Sequence, residues 1–251
     1  MSAAVQVLPT AQGAPLAILA GPGVAHEVVG PGSGARHRTM AVVELPPGAR
    51  TVHLCHPGEA VWYVVEGGGT VLADSGRLEL EAGAMVHAAG GAGYMLVAGD
   101  EGLRLVGGPS PPDPGLASGD AADERDGAAV RLFHRDRPAR KVPMISSDAR
   151  LVVFPGVGAE TANMNYVRLQ PGEENVPHTH AESEDTIMIV SGRGSVDDLT
   201  NGVTLEFEAG DVIHVPEGIE HRVKADRGSG VESVGGPCPP DRAMLARSDA
   251  A

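Results

Sequence analysis

The residues best suited to chemistry in this 251-residue chain lie in its second half. His178 and His180 form a His-x-His pair inside "PGEENVPHTHAESEDTIMIVSG", with the acids Glu182, Glu184 and Asp185 directly after it. Further on, "GDVIHVPEGIEHRV" supplies His221. Side chains two residues apart on a strand share a face, so His178 and His180 present both imidazoles to one side. Two such nitrogens, a carboxylate from the next strand and a histidine from a distant one can close on a single divalent ion. Imidazole with carboxylate suits iron, manganese, nickel, copper or zinc. Period-2 alternation puts Asp185 in phase with Ile187 and Ile189, which favours Asp185 as the fourth ligand. Glu184 is the alternative, and a second carboxylate at that place could instead move protons as an acid/base.

The elements that must position these residues read as strands. "NMNYVRL", "DTIMIVSG", "GSVDDL" and "VTLEFEAG" are short apolar or alternating runs cut by Gly, Pro and Asp, the pattern of an all-β sandwich or barrel. The first half carries the same series as "RTMAVVEL", "AVWYVVEG", "GTVLAD" and "RLELEAG". Slid by 124 residues, the stretch 25–48 meets 149–172 with 12 of 24 positions identical and no gap. The offset grows to 128 where "VGGPSPPD" (106–113) meets "VGGPCPPD" (234–241). Two copies of one domain follow, at 1–112 and 129–251. Residues 113–128, rich in Pro, Gly, Ala and Asp, read as a solvated linker. In the repeated phrase, Gly-Gly-Pro is expected to end the last strand and Pro-Pro-Asp to turn the chain away.

The first copy has lost the metal set. Under the alignment His178 falls on Leu54, His180 on His56, the carboxylate on Ala60 and His221 on Tyr94. One neutral imidazole holds a catalytic metal poorly, so this half is expected to be empty. His87 and His214 coincide at an offset of 127 and persist where the ligands do not, which marks them as packing or hydrogen-bonding residues. His26, His37, His53 and His134 belong to no constellation. Trp62 and Tyr63 read as core, and Cys55 as a buried spectator thiol.

The bulk composition narrows the function classes. A net charge of −14 argues against a nucleic-acid or anionic-membrane surface. Two cysteines, with no Cys-x-x-Cys, make no disulfide framework. No apolar run nears the roughly 20 residues of a membrane span, and the first residues lack a secretory pattern. A soluble, cytoplasmic protein is expected.

The two second-half motifs resemble those of the cupin superfamily. The first cupin motif runs Gly, five residues, His-x-His, three or four residues, an acid, six residues, Gly. Gly172, His178, His180 and Gly192 match it, with Asp185 or Glu184 as the acid. The second runs Gly, five residues, Pro-x-Gly, two residues, His, three residues, Asn. Gly210, Pro216, Gly218 and His221 match, and Ala225 stands at the final Asn. The resemblance covers nearly the whole chain. It implies a bicupin, two tandem double-stranded β-helix or jelly-roll barrels, with one metal site in the C-terminal barrel. It also implies an enzyme acting on a small organic molecule, with an Fe(II)-type dioxygenase the leading expectation. A non-oxidative Mn or Zn enzyme (aminohydrolase, lyase or isomerase) is the second; ureidoglycine aminohydrolases are similar in size and in keeping the metal C-terminal. A non-catalytic small-molecule binder is the third. Bicupins often dimerise through N-terminal strands, so a homodimer is expected, with "APLAILAG" (14–21) as a candidate contact.

Overall fold

The computed structural model describes residues 3–142 and 145–249. Each half of the chain forms a β-barrel, as the strand pattern predicts. The first is built on a sheet in which strands Val24–Val29, Met40–Leu45, Tyr94–Ser110, Glu59–Ala73 and Ala84–Ala88 follow one another in space. The second repeats this order with Asp148–Val153, Met164–Leu169, Val231–Cys238, Glu184–Ser191 and Asp211–Val215. A three-stranded sheet of Val203–Glu208, Arg193–Asp198 and His221–Ala225 completes that barrel. Among the described residues no helix is long and apolar enough to cross a membrane.

The strands do not follow the division of the chain at residues 112 and 129. Gln6–Pro9, at the start of the first half, pairs antiparallel with Asp211–Val215 of the second barrel. Val130–His134, at the start of the second half, pairs with Ala84–Ala88 of the first. Each barrel thus receives an edge strand from the opposite half. The exchange covers hydrogen-bonding edges that would otherwise stay open.

Among the described residues the buried apolar side chains form four clusters: one in each barrel, one between the halves, and a small one of Val142, Ala149, Leu151 and Phe154. Ala60, Trp62 and Val64 point into the first barrel, whereas Val61 and Tyr63 of the same strand face the other half. In the second barrel Ile189 points inward and Met188 toward the interface. The interface core joins Met40, Val42, Tyr63 and Met85 to Val153, Met164, Met188 and Val212. Strands between two apolar layers are buried on both faces, which explains the continuous apolar runs.

Two carboxylates pin the halves together. Glu59 accepts the backbone N–H groups of Glu160, Thr161 and Ala162 at 2.6–3.0 Å, and pairs with His87 Nε2 at 3.0 Å. At the corresponding place, Glu184 accepts the N–H groups of Arg36, His37 and Arg38 at 2.7–3.1 Å, with His214 Nε2 at 3.5 Å. Burial raises the pKa of Glu59, but His87 and the three amides outweigh it and hold it down to about 2. His87 and His214 are therefore hydrogen-bonding residues, as their persistence suggested.

One region differs from the sequence reading. The linker is not simply solvated: Leu116 is buried in the first core, Ala122 N–H donates to Cys55 O, and Asp113 reaches His56. In the segment 14–21, Leu16 and Ile18 pack in the first core, while Ala14, Pro15, Ala17, Ala20 and Gly21 are exposed.

Candidate metal centre

The second barrel brings His178, His180, Asp185 and His221 together, with one ligand atom from each lying within 4.8 Å of all the others. Three local arrangements produce this. His178 and His221 face each other across an antiparallel bridge, exchanging N–H···O bonds of 3.1 and 3.0 Å. His180 follows two residues after His178. Asp185 enters from the strand Glu184–Ser191, in phase with Ile187 as alternation requires. Glu184, one residue earlier, faces the opposite way into the interface. Its carboxylate is taken by three amides and His214, so the cluster uses Asp185 and not the alternative Glu184.

Each histidine has its tautomer fixed from behind. Nδ1 of His178 lies 2.8 Å from Val176 O, Nδ1 of His221 3.1 Å from Ile219 O, and Nδ1 of His180 2.8 Å from Asp241 Oδ2. A carbonyl or carboxylate only accepts, so Nδ1 carries a proton in all three, and the Nε2 of each ring in its neutral form has a lone pair for the centre. The Nε2 atoms of His180 and His221 and Oδ1 of Asp185 are buried without hydrogen-bond partners. Asp185 Oδ2 stands 3.6 Å from Nε2 of both His180 and His221, too far for hydrogen bonds. Buried imidazole nitrogens and a carboxylate that converge without hydrogen bonds among them fit a divalent cation, and the donor set is that of a first-row transition metal.

The charges agree. Burial, followed by the neighbouring His221 and His180, lowers the His178 pKa to about 4, so this imidazole is neutral near pH 7. Burial opposes ionisation of Asp185, but His180 and His221 overcome it and hold the carboxyl well below the usual range.

Asp241, the last residue of the repeated phrase, does more than turn the chain. Oδ2 holds His180, while Oδ1 accepts the N–H of Met244 at 2.9 Å in the first turn of the helix Arg242–Asp249. Asp113 makes the same pair of bonds in the first half, to His56 Nδ1 at 2.8 Å and from Gly115 N–H at 2.9 Å. The first glycine of the phrase serves packing in both halves. Gly107 and Gly235 have positive φ, and a Cβ there would overlap the carbonyl oxygens of Val61 and Thr186 on the adjacent strand.

The first barrel closes on itself at the corresponding place. The Tyr94 hydroxyl accepts from Trp62 Nε1 at 2.7 Å and lies 3.1 Å from His56 Nε2. Leu54 and Ala60 offer no ligand, and Trp62 and Tyr94 are fully buried in the core. In the second barrel the cluster instead opens on a cavity of about 80 Å³. Val142, Ile145, Leu151, Val223, Met244 and Leu245 give it an aliphatic wall. Asn163, Asn165, Asn175 and Ser233 supply the remaining polar surface beside the cluster and Asp241. Sequence reasoning missed Asp241, the asparagines and the helix. The signal for Asp241 was the joint persistence of His56 with Asp113 and of His180 with Asp241.

A double barrel with a three-histidine, one-aspartate cluster in its second unit defines a class of protein, and comparison with known sequences agrees. The cupin domain model matches residues 41–106 and 165–232. The chain belongs to the cupin family and has the two-barrel form. Germin-like protein subfamily T member 2 of Arabidopsis thaliana is 33% identical over 78 residues, which is 30% of this chain and 36% of that protein. The match therefore spans about a third of that relative's length. Among solved structures, Bacillus subtilis oxalate decarboxylase, studied for its Mn(II) centres, superposes with a TM-score of 0.72 at 16% identity. That likeness covers 96% of this chain and 78% of the other. Protein YlbA of E. coli gives 0.72 at 15% identity, covering 96% and 93%. At such identities the likeness is one of fold.

Proposed function

We propose that this chain is a metal-dependent bicupin enzyme acting on a small organic molecule. His178, His180, Asp185 and His221 hold one divalent ion in the C-terminal barrel, and an Fe(II)-type dioxygenase is the leading reading. The observation that carries the proposal is the set of buried ligand atoms without hydrogen-bond partners, on histidines whose Nδ1 protons are fixed elsewhere. A bound ion would supply Lewis acidity or a redox centre with coordination positions free for substrate. The chain's own residues do the rest. Asp241 and the carbonyls of Val176 and Ile219 orient the imidazoles, and the aliphatic wall lines the space beside the cluster.

A non-oxidative manganese enzyme is the second reading, favoured by the fold likeness to a decarboxylase with Mn(II) centres. Anaerobic purification with metal analysis separates the two. Iron with substrate-dependent oxygen uptake is expected for the first; manganese or zinc without oxygen uptake refutes it. In either case His221→Ala is expected to abolish stoichiometric metal, and metal retained in that variant would overturn the site.

A further inference from the structure

The two barrels place Trp62 and Ile187 at the same point of their sheets. Trp62 pairs with Gly107 on one side and Val86 on the other, and Ile187 with Gly235 and Ile213, the matching residues of the second barrel. Tyr94 and His221 correspond in the same way, across the bridges to Leu54 and His178. In the first barrel the indole fills the interior and donates from Nε1 to the Tyr94 hydroxyl at 2.7 Å, so its polar atom points to the place that His221 takes in the second. In the second barrel the shorter Ile187 leaves that space open. Trp62 is fully buried, whereas Ile187 is only half-buried and lines the cavity.

Away from the cluster, the cavity offers a guest little but carbon. Asn163 Nδ2 donates to Pro237 O at 3.1 Å, Asn175 Oδ1 accepts the Val223 N–H at 2.8 Å and Ser233 Oγ lies 3.5 Å from Val167 O, so these groups serve the barrel's own backbone. The Oδ1 atoms of Asn163 and Asn165 are buried beyond a guest's reach. Among the described side chains lining the cavity there is no lysine or arginine, and Asp241 is held by His180 and the Met244 N–H. A charged group in the body of a guest would lose its hydration and meet no counter-ion. A charged group at the cluster end is different, because direct coordination to the ion meets it.

We infer that Ile187 sets the specificity of the site: where the first barrel holds the Trp62 indole, it leaves room for the uncharged aliphatic body of a guest whose single polar end coordinates the ion. The inference rests on the metal reading above and deepens it by naming the class of guest, an aliphatic molecule with one metal-binding group such as a carboxylate. A second charged group, as in a dicarboxylate, is rejected by the aliphatic wall. The space of about 80 Å³ takes a body of roughly half a dozen carbons. The first barrel carries its own occupant on the chain, an apolar ring with one polar atom turned to the ligand end.

The test uses the full chain loaded with zinc, with metal content measured on the same sample. Isocaproate and succinate share one heavy-atom skeleton, with an isopropyl group in the first where the second has another carboxylate. Ligand-observed NMR titration is expected to show isocaproate binding about tenfold more tightly, from burial of the isopropyl group. Ile187→Trp copies the first barrel and is expected to keep zinc and lose isocaproate. Ile187→Ala enlarges the space without crowding it, and is expected to shift the preference about tenfold from isocaproate toward the bulkier cyclohexylacetate; this variant decides alone if the tryptophan variant does not fold or hold zinc. Succinate binding as tightly as isocaproate, or no binding of isocaproate to zinc-loaded protein, overturns the class of guest. Isocaproate retained by zinc-loaded Ile187→Trp, or an unchanged preference in Ile187→Ala, overturns the role of Ile187. Each of these leaves the metal site standing, whereas a sample that takes up no zinc overturns the metal reading itself.

Discussion

Asp241→Asn probes whether the carboxylate behind His180 sets the affinity of the site. The aspartate meets two donors at once, His180 Nδ1–H at 2.8 Å and the Met244 N–H at 2.9 Å, with one oxygen for each. An asparagine has a single oxygen, and its amide group donates. Either the helix N–H or the imidazole N–H then faces another donor, and in both arrangements the bond to His180 loses its ionic partner. A charge-assisted hydrogen bond lost at a buried site costs about 1.5–3 kcal/mol. If that energy is expressed at the imidazole, metal affinity falls about 10- to 100-fold, the usual range for a group supporting a metal ligand. The first barrel supplies the control. Asp113 makes the same two bonds to His56 and Gly115, beside a place with no ligand set. Asp113→Asn is expected to lower the melting temperature by a similar amount and to leave metal affinity untouched. Chelator competition with zinc measures the affinity, and thermal unfolding of the apo-proteins measures the structural cost. If both variants lose the same stability and neither changes metal affinity, Asp241 is only a turn residue and the reasoning fails.

Two further outcomes test the scaffold. Glu59 is held at about 2, below its ordinary 4.5, so its stabilising contribution is complete above pH 4.5 and is lost as pH falls toward 2. Solvent near the carboxylate discounts that displacement to about 2 kcal/mol. Glu59→Gln should therefore cost roughly that much in urea unfolding at pH 7, with the gap from wild type closing in acid; a gap that does not change with pH counts against the latch. Tyr94→Phe removes the hydroxyl shared by Trp62 and His56, and is expected to cost about 1–3 kcal/mol with no change in metal stoichiometry. A change in stoichiometry would mean that the first barrel takes part in metal binding.

The barrels and most of the cluster were legible because they rest on local rules. Period-2 alternation selected Asp185 over Glu184, and the structure puts the two on opposite sides of the strand, one toward the histidines and one into the interface. The internal repeat announced two barrels. It could not announce that Gln6–Pro9 and Val130–His134 change barrels, because pairing across an edge leaves no trace in composition. Glu59, and the part Glu184 plays between the halves, escaped notice for a related reason, although Glu184 was weighed as a ligand or an acid/base. The alignment tracked the metal carboxylate onto Ala60 and passed over the acid next to it, although His87 and His214 were recognised as a retained pair needing partners.

The repeated phrase shows where such reasoning misleads. It stands in both halves, including the one without ligands, and that argues against a role confined to the metal. It does not argue against holding a histidine. Asp113 and Asp241 each fix an imidazole and the first turn of the helix that follows. In the first barrel the fixed ring meets Tyr94 and the cup is filled. In the second it meets His178, Asp185 and His221 beside an open cavity. The same device is structural in one half and, on the reading proposed for the cluster, tunes a metal ligand in the other. Persistence across a repeat therefore identifies what a residue touches; its function depends on what that neighbour faces.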